Sequence, residues 1–258
     1  MIMRKLFLFI SLLFCVHSMN AQSNRTFTVR GVSFTMIYVQ GGTFNMGAIL
    51  EEERGMASSS EYPVHRVTLS GYYIGQTEVT QELWQAVMGN NPSFTKGNKR
   101  PVEYVTWYEC QTFINKLNSL TGQNFRLPTE AEWEFAARGG SKSRGYMYSG
   151  SNILGNVAWY IDNGGRMTGK THDVATKAPN ELGIYDMSGN VNEWCQDWYS
   201  SSYYSCSPSN NPKGPSSMTK RVLRGGYIGN YAQDCRVASR TGNSPTNGSS
   251  RDGLRLAL

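Results

Sequence analysis

Residues 32–46 alternate apolar and polar side chains on either side of Gly41-Gly42, the two-residue period of half-buried strands, so two short strands joined by a turn are expected there. Residues 64–73 continue in the same period. Between them, residues 51–61 are charged and Ser-rich and read as a mobile loop. The period then lengthens to that of a helix. Thr80 as N-cap, an apolar stripe of Leu83, Trp84, Val87 and Met88, and Gly89 as stop predict a first helix. Thr106 and Glu109 form a capping box ahead of Cys110, Phe113, Ile114 and Leu117 at helical spacing, and Thr129 with Glu132 repeats the device in a third helix ending at Gly139. Beyond Gly139 helix signals stop. Gly, Asn, Ser, Tyr and Trp dominate there, with brief strand-like pieces at residues 182–187 and 221–223. So much irregular backbone needs side-chain partners for its buried peptide groups. An α+β fold with about three helices and a loop-rich face follows.

Ahead of this pattern stand Arg4 and Lys5, an apolar run over residues 6–16, and a polar stretch ending in Met19-Asn20-Ala21. That is the layout of a secretory signal peptide over residues 1–21, cleaved after Ala21, which sends the chain to the periplasm, the cell surface or the medium. Cys15 offers a lipoprotein alternative, but Phe14 stands where a lipidation site prefers a small residue. No later stretch approaches the roughly 20 apolar residues of a membrane helix. No linker divides residues 22–258, so one domain is expected. The formal charge of +6 includes Arg4 and Lys5, and the other basic residues are scattered, which argues against a nucleic-acid partner. Cys110, Cys195, Cys206 and Cys235 follow the signal with no C-x-x-C spacing. An oxidising compartment favours bridging, and Cys195 with Cys235 is the first choice, since both fall in segments expected to pack together.

Six blocks, in order and spacing, resemble one family: residues 39–47 (VQGGTFNMG), 77–80 (TEVT), Pro101-Val102 before Val105-Thr106-Trp107, 126–140 (RLPTEAEWEFAARGG), 181–198 (ELGIYDMSGNVNEWCQDW), and 221–226 (RVLRGG) followed by R-x-A-x-R and G-x-R. Together they resemble the formylglycine-generating enzyme family, the sulfatase-modifying factor domains. The resemblance implies a C-type-lectin-like α+β fold, loop-rich and often holding calcium. It also implies a copper-dependent oxidation of a sulfatase cysteine, with copper held by two thiolates. Those positions fall four residues before Arg236 and directly after it, at Ala232 and Val237 in this chain. Neither carries sulfur, and Cys235 alone cannot give the two-thiolate grip that Cu(I) favours. Related domains hold iron through histidines, yet only His65 and His172 follow the signal, with no H-x-H or H-x-x-x-H spacing. No copper, no iron and no catalytic residue are therefore expected.

Residues 227–252 have a second character. Between elements such as Cys235-Arg236-Val237, Arg240 and Pro245 stand residue types reachable by changing adenines in an asparagine codon, while Lys, Glu, Met and Trp are absent. This resembles the variable region of retroelement-diversified proteins, many of which share the same fold; an ordinary polar loop is the alternative. Either way the segment reads as a display surface, since Tyr and Arg give large contacts and Ser, Gly and Asn adaptable hydrogen bonds. The expected ligand contacts are Tyr227, Ile228, Asn230, Tyr231, Asp234, Thr241, Asn243, Asn247, Arg251 and Asp252. Arg236, Arg240 and Arg255 are expected to anchor the scaffold through buried polar contacts.

The resemblance implies structural calcium at Gly189 to Glu193, with Asn190 and Glu193 as side-chain ligands; a turn held by Asn190 is the alternative. Trp133, Trp159, Trp194 and Trp198 are assigned mainly to core packing, with a sugar or peptide groove as the other reading. The expected function is an exported binding protein with a protein or glycan ligand outside the cytoplasm. The alternatives are an oxidase with substitute ligands and an accessory of a cell-envelope complex.

Overall fold

The computed structural model describes residues 22–164 and 169–258, so the expected signal peptide, with Cys15 and Ala21, lies outside the described residues. Strand β1 (Arg25–Val29), which the alternation does not mark, pairs antiparallel with β2 (Val32–Val39), and β2 pairs on its other edge with β5 (Tyr72–Gly75). β3 (Gly42–Met46) pairs with β4 (His65–Leu69). The expected hairpin at Gly41-Gly42 does not form. Register is the same on both sides of that point, Val39 opposite Tyr72 and Gly42 opposite Leu69, so the two pairs are one ribbon bent at residues 40–41 and 70–71. Gly41 permits the bend: a Cβ there would lie 2.6 Å from the Leu69 carbonyl oxygen.

All three expected helices are present with their caps. In α1 (Gln81–Met88) the Thr80 hydroxyl accepts from Leu83 N, and Gly89 closes the helix at φ 84°. Reciprocal capping boxes open α2 (Trp107–Thr121) at Thr106/Glu109 and α3 (Glu130–Ala137) at Thr129/Glu132. A short fourth helix, α4 (Leu154–Val157), lies outside the expected set. Residues 182–187 form a turn instead of a strand, because Asn180 Oδ1 accepts from both Leu182 N and Ile184 N.

A four-stranded sheet carries the C-terminal half, in the order β8 (Arg240–Asn243), β7 (Arg221–Arg224), β6 (Asn192–Trp198), β9 (Asp252–Leu254), with β9 parallel to β6. One core packs α1 and α2 on one side, where Trp84 stacks on Phe113 at 4.9 Å and Trp194 is fully buried. Each such ring contributes on the order of 2–3 kcal/mol over an exposed one. A second core packs α3 against β3, β4 and β7 around Trp133. Cys195 belongs to this second core and Cys235 to a separate cluster with Tyr148, Leu154 and Val157, so the expected bridge between them is not made; all four described cysteines are free thiols. No helix among the described residues is long and apolar enough to cross a membrane.

Candidate functional site

The β7–β8 register sets Arg224 directly opposite Arg240. Two like charges side by side on a sheet are unfavourable. Glu130 and Glu134, one turn apart on α3 and so on one face, answer them: Arg240 grips both Glu130 oxygens at 2.6 and 2.7 Å, and Arg224 Nη2 donates to Glu134. Although burial acts to raise it, Arg240 and Arg224 hold the Glu130 carboxyl below its ordinary range. Arg236 reaches Glu53 at 2.8 Å and Glu61 at 2.8 and 2.9 Å. Residues 51–61 are therefore not a loose loop. They fold as two 3-10 turns (Glu51–Glu53 and Ser59–Glu61) whose buried carboxylates are docked on Arg236. Arg236, Arg240 and Arg255 are anchors as expected, and Arg224 joins them.

Above this neutralised floor lies an open cleft of about 740 Å³. It is lined by eight of the expected contacts: Tyr227, Asn230, Asp234, Thr241, Asn243, Asn247, Arg251 and Asp252. The Arg251 guanidinium lies 4.9 Å from the Tyr227 ring centroid. Asn230 accepts from Tyr227 N at 2.9 Å and donates to Asp234, which fixes the turn that presents Tyr227. Asp252 is only 2% exposed; burial pushes its carboxyl up, while Asn192, Ser249 and Asn243 each donate to it. It shapes the wall more than it offers a charge.

Two expected contacts lie apart from the cleft. Ile228 is buried, its N–H donating to Asn190 O at 2.9 Å and its side chain filling the space over Gly164, where a Cβ would lie 2.0 Å from Ile228 Cδ1. Tyr231 is 56% exposed but does not line the cleft. Among the lining residues that escaped the sequence reading are Met56 and Ser58, between the two docked turns, and Tyr104, 53% exposed at φ 67°. Nothing local in the sequence ties them to a segment more than 100 residues later. Gly225 and Gly226, at φ 92° and 73°, are the one legible signal, since only glycine turns so sharply, Gly225 against Trp133 and Gly226 against Asp234 and Cys235.

At the two positions where the family resemblance implies thiolates, Val237 is fully buried, donating to Met147 O at 3.0 Å, and Ala232 packs partly buried beside Cys235. Burial, with the Asp234 charge next, pushes the Cys235 thiol up to about 12, so it stays protonated. His65 lies against Tyr204 and His172 against Trp159, two separate ring contacts.

The implied calcium ligands do not fit an ion. Both Glu193 oxygens accept from Arg255, at 2.6 to 3.1 Å, and Oε2 also accepts from Trp133 Nε1 at 2.7 Å. A cation there would face a guanidinium. Asn190, at φ 60°, accepts from His172 N and donates to Glu78 and the His172 carbonyl, so it holds a turn. Among the described residues no group of His, Cys, Asp and Glu side chains is arranged to hold a metal. Beside Glu193, burial pushes the Glu78 carboxyl well up, and pushes Asp186 up to about 6, so Arg255 is the cation nearest three buried acids.

The comparisons with known proteins agree with this architecture. Residues 25–258 match the family model described as the sulfatase-modifying factor enzyme 1-like domain. Chaperone protein LppX of Paenibacillus barcinonensis is 36% identical over 273 residues, spanning 87% of this chain and 89% of its own length. The formylglycine-generating enzyme of Streptomyces coelicolor is 28% identical over 285 residues, spanning 86% and 88%. Among solved structures, Treponema denticola variable protein 1 superposes with a TM-score of 0.80 at 38% identity, covering 92% of this chain and 99% of that one. The chain belongs to the sulfatase-modifying factor enzyme 1-like domain family.

Proposed function

We propose that this chain is a ligand-binding module of the family, exported from the cytoplasm, with the cleft bounded by residues 223–252 as its recognition surface for a protein or glycan. The observation that carries the reading is the division of labour in that segment. Arg224, Arg236 and Arg240 spend their charge on buried glutamates and hold the floor still. Tyr227, Asn230, Thr241, Asn243, Asn247 and Arg251 line the space above it. A fixed floor under polar and aromatic groups is the pattern of a paratope, where preorganised anchors lower the ordering cost of binding. The likeness to a protein named a variable protein, along 99% of that chain, supports the same reading. An oxidase function has less support, because Ala232 and Val237 bring no sulfur to the positions where the family's copper chemistry needs it.

Screening the chain against displayed peptide libraries and glycan arrays tests the reading. Binders are expected whose capture falls at least about tenfold in Tyr227→Ala and in Arg251→Ala, both at the cleft. Binders indifferent to both changes, or oxygen uptake with copper and a cysteine peptide, would overturn it.

A further inference from the structure

The chain covers several of its outer strand edges itself. On β5 the C-terminal residues do so, Tyr73 N donating to Leu258 O at 3.0 Å and Gly75 N to Leu256 O at 2.8 Å. On β4, Thr68 N donates to Ser209 O at 2.7 Å, and on β9, Leu254 O accepts from Val79 N at 2.9 Å. The outer edges of β1, β3 and β8 have no such cover among the described residues, and of these strands only β8 lines the cleft.

All four β8 residues, Arg240, Thr241, Gly242 and Asn243, line it in succession. Side chains of a strand alternate between the two faces of its sheet. Arg240 points to α3, where it holds Glu130, while Asn243, on the other face, donates to Asp252. A cleft lying over one face would touch every second residue; what four consecutive residues share is the edge of the strand, so the cleft runs along that edge. It has a wall on each side. Arg240 Nη1 donates to Ser60 O at 3.1 Å, which places the docked turns on one face, and Asn247 donates to Asn243 at 3.4 Å, which places residues 247–252 on the other. In an antiparallel ladder alternate residues direct both N–H and C=O away from the neighbouring strand. Two of the four β8 residues therefore turn theirs away from β7, and no main-chain group of the four has a hydrogen bond outside the β7 ladder among the described residues.

Donors and acceptors at strand spacing are matched by another main chain at the same spacing, whereas the hydroxyls of a glycan have no such period. Charge adds a second requirement. Arg224, Arg236 and Arg240 are each paired with a glutamate, Asp234 accepts from Asn230 at 3.2 Å, and Asp252 accepts from three donors. Arg251 is exposed, lies over Tyr227, and its guanidinium has no hydrogen bond or ion pair among the described residues. We propose that the cleft binds an extended polypeptide segment that adds as a fifth strand to the outer edge of β8 and sets an acidic side chain on Arg251. This rests on the cleft reading above and narrows its ligand from a protein or glycan to an extended chain. Alternate side chains of that segment meet Met56 and Ser58 on one wall and Tyr104 and Asn247 on the other. The two walls admit a single strand and keep out the edge of a second folded sheet, so the open edge is not an invitation to aggregate.

The test begins without a ligand. Amide hydrogen exchange followed by NMR is expected to find two alternate amides of residues 240–243 open in the free protein and the other two protected by β7. A displayed random-peptide library and a glycan array are then screened side by side. Selected peptides, made synthetically, are expected to lose binding at least about tenfold on N-methylation at alternate positions and little at the positions between, and to slow exchange at the open β8 amides. Replacing their acidic residue by its amide is expected to weaken binding to the protein at least about fivefold and to leave binding to Arg251→Ala unchanged. Four protected amides in the free protein, peptides indifferent to N-methylation at every position, or peptides that bind as well without an acidic residue would overturn the proposal. Capture of glycans alone, sensitive to Tyr227→Ala and Arg251→Ala, would overturn it and leave the cleft reading standing. No binder of either class, or binders indifferent to both substitutions, would overturn both.

Discussion

Glu193 holds Arg255 through both of its oxygens, and neither side chain keeps any exposed surface. Breaking a buried pair from one side leaves the other charge stranded, so Glu193→Ala is expected to cost about 3–5 kcal/mol in urea unfolding, with Glu193→Gln in between. The loss is expected to be the same in millimolar calcium and in EGTA. A loss found only in calcium would restore Glu193 as an ion ligand.

Asp186 gives the fold a pH dependence of known sign. Its folded-state value, about 6, lies above the ordinary 3.8, so the folded chain binds the proton more tightly. The associated stability is full below about pH 4 and is lost as pH climbs through about 6. Asp186→Asn keeps an acceptor for Ala175 N–H and suits φ 59°. It is expected to stabilise the chain by about 1–3 kcal/mol near pH 8 and by little near pH 4. Denaturation curves showing the variant weaker at both pH values would refute this.

Ile228 and Tyr231 separate burial from composition. Both are residue types that diversification permits, yet the structure treats them differently. Ile228→Asn is expected to cost about 2–5 kcal/mol, by losing its packing on Gly164 and burying an amide. Tyr231→Asn is expected to stay within about 0.5 kcal/mol. Thermal melts of the two variants decide the matter; equal effects would mean Ile228 is not the plug described.

The thiols should react unequally. Cys206 is exposed, whereas Cys110, Cys195 and Cys235 are buried and burial pushes each of those three up. Iodoacetamide on the folded chain is expected to label Cys206 among the described cysteines, and all four after unfolding. Native labelling at Cys235 would show an accessible thiol beside the cleft.

What the sequence made legible was short in range. Thr80, Thr106 and Thr129 cap helices because a cap is satisfied within three residues, so pattern alone suffices. Alternation marks β2, β3 and the stretch that forms β4 and β5 but not which strand pairs with which, so the bent ribbon reads as a hairpin. The C-terminal segment was legible as a surface because its residue types suit one; eight of its ten chosen positions face the cleft. Ile228 was misread because composition carries no burial. The docking of Glu53 and Glu61 on Arg236 was out of reach for another reason: nothing in a charged, Ser-rich stretch names an arginine 175 to 183 residues away.

That same clamp has a consequence for biogenesis. A chain delivered N-terminus first exposes Glu53 and Glu61 long before Arg236 arrives, and closing so large a loop comes late because its entropy must be overcome first. One wall of the cleft is therefore among the last parts of the molecule to set. Until then its acidic turns lack their cation, so the shape of the cleft is completed only when the C-terminal segment docks.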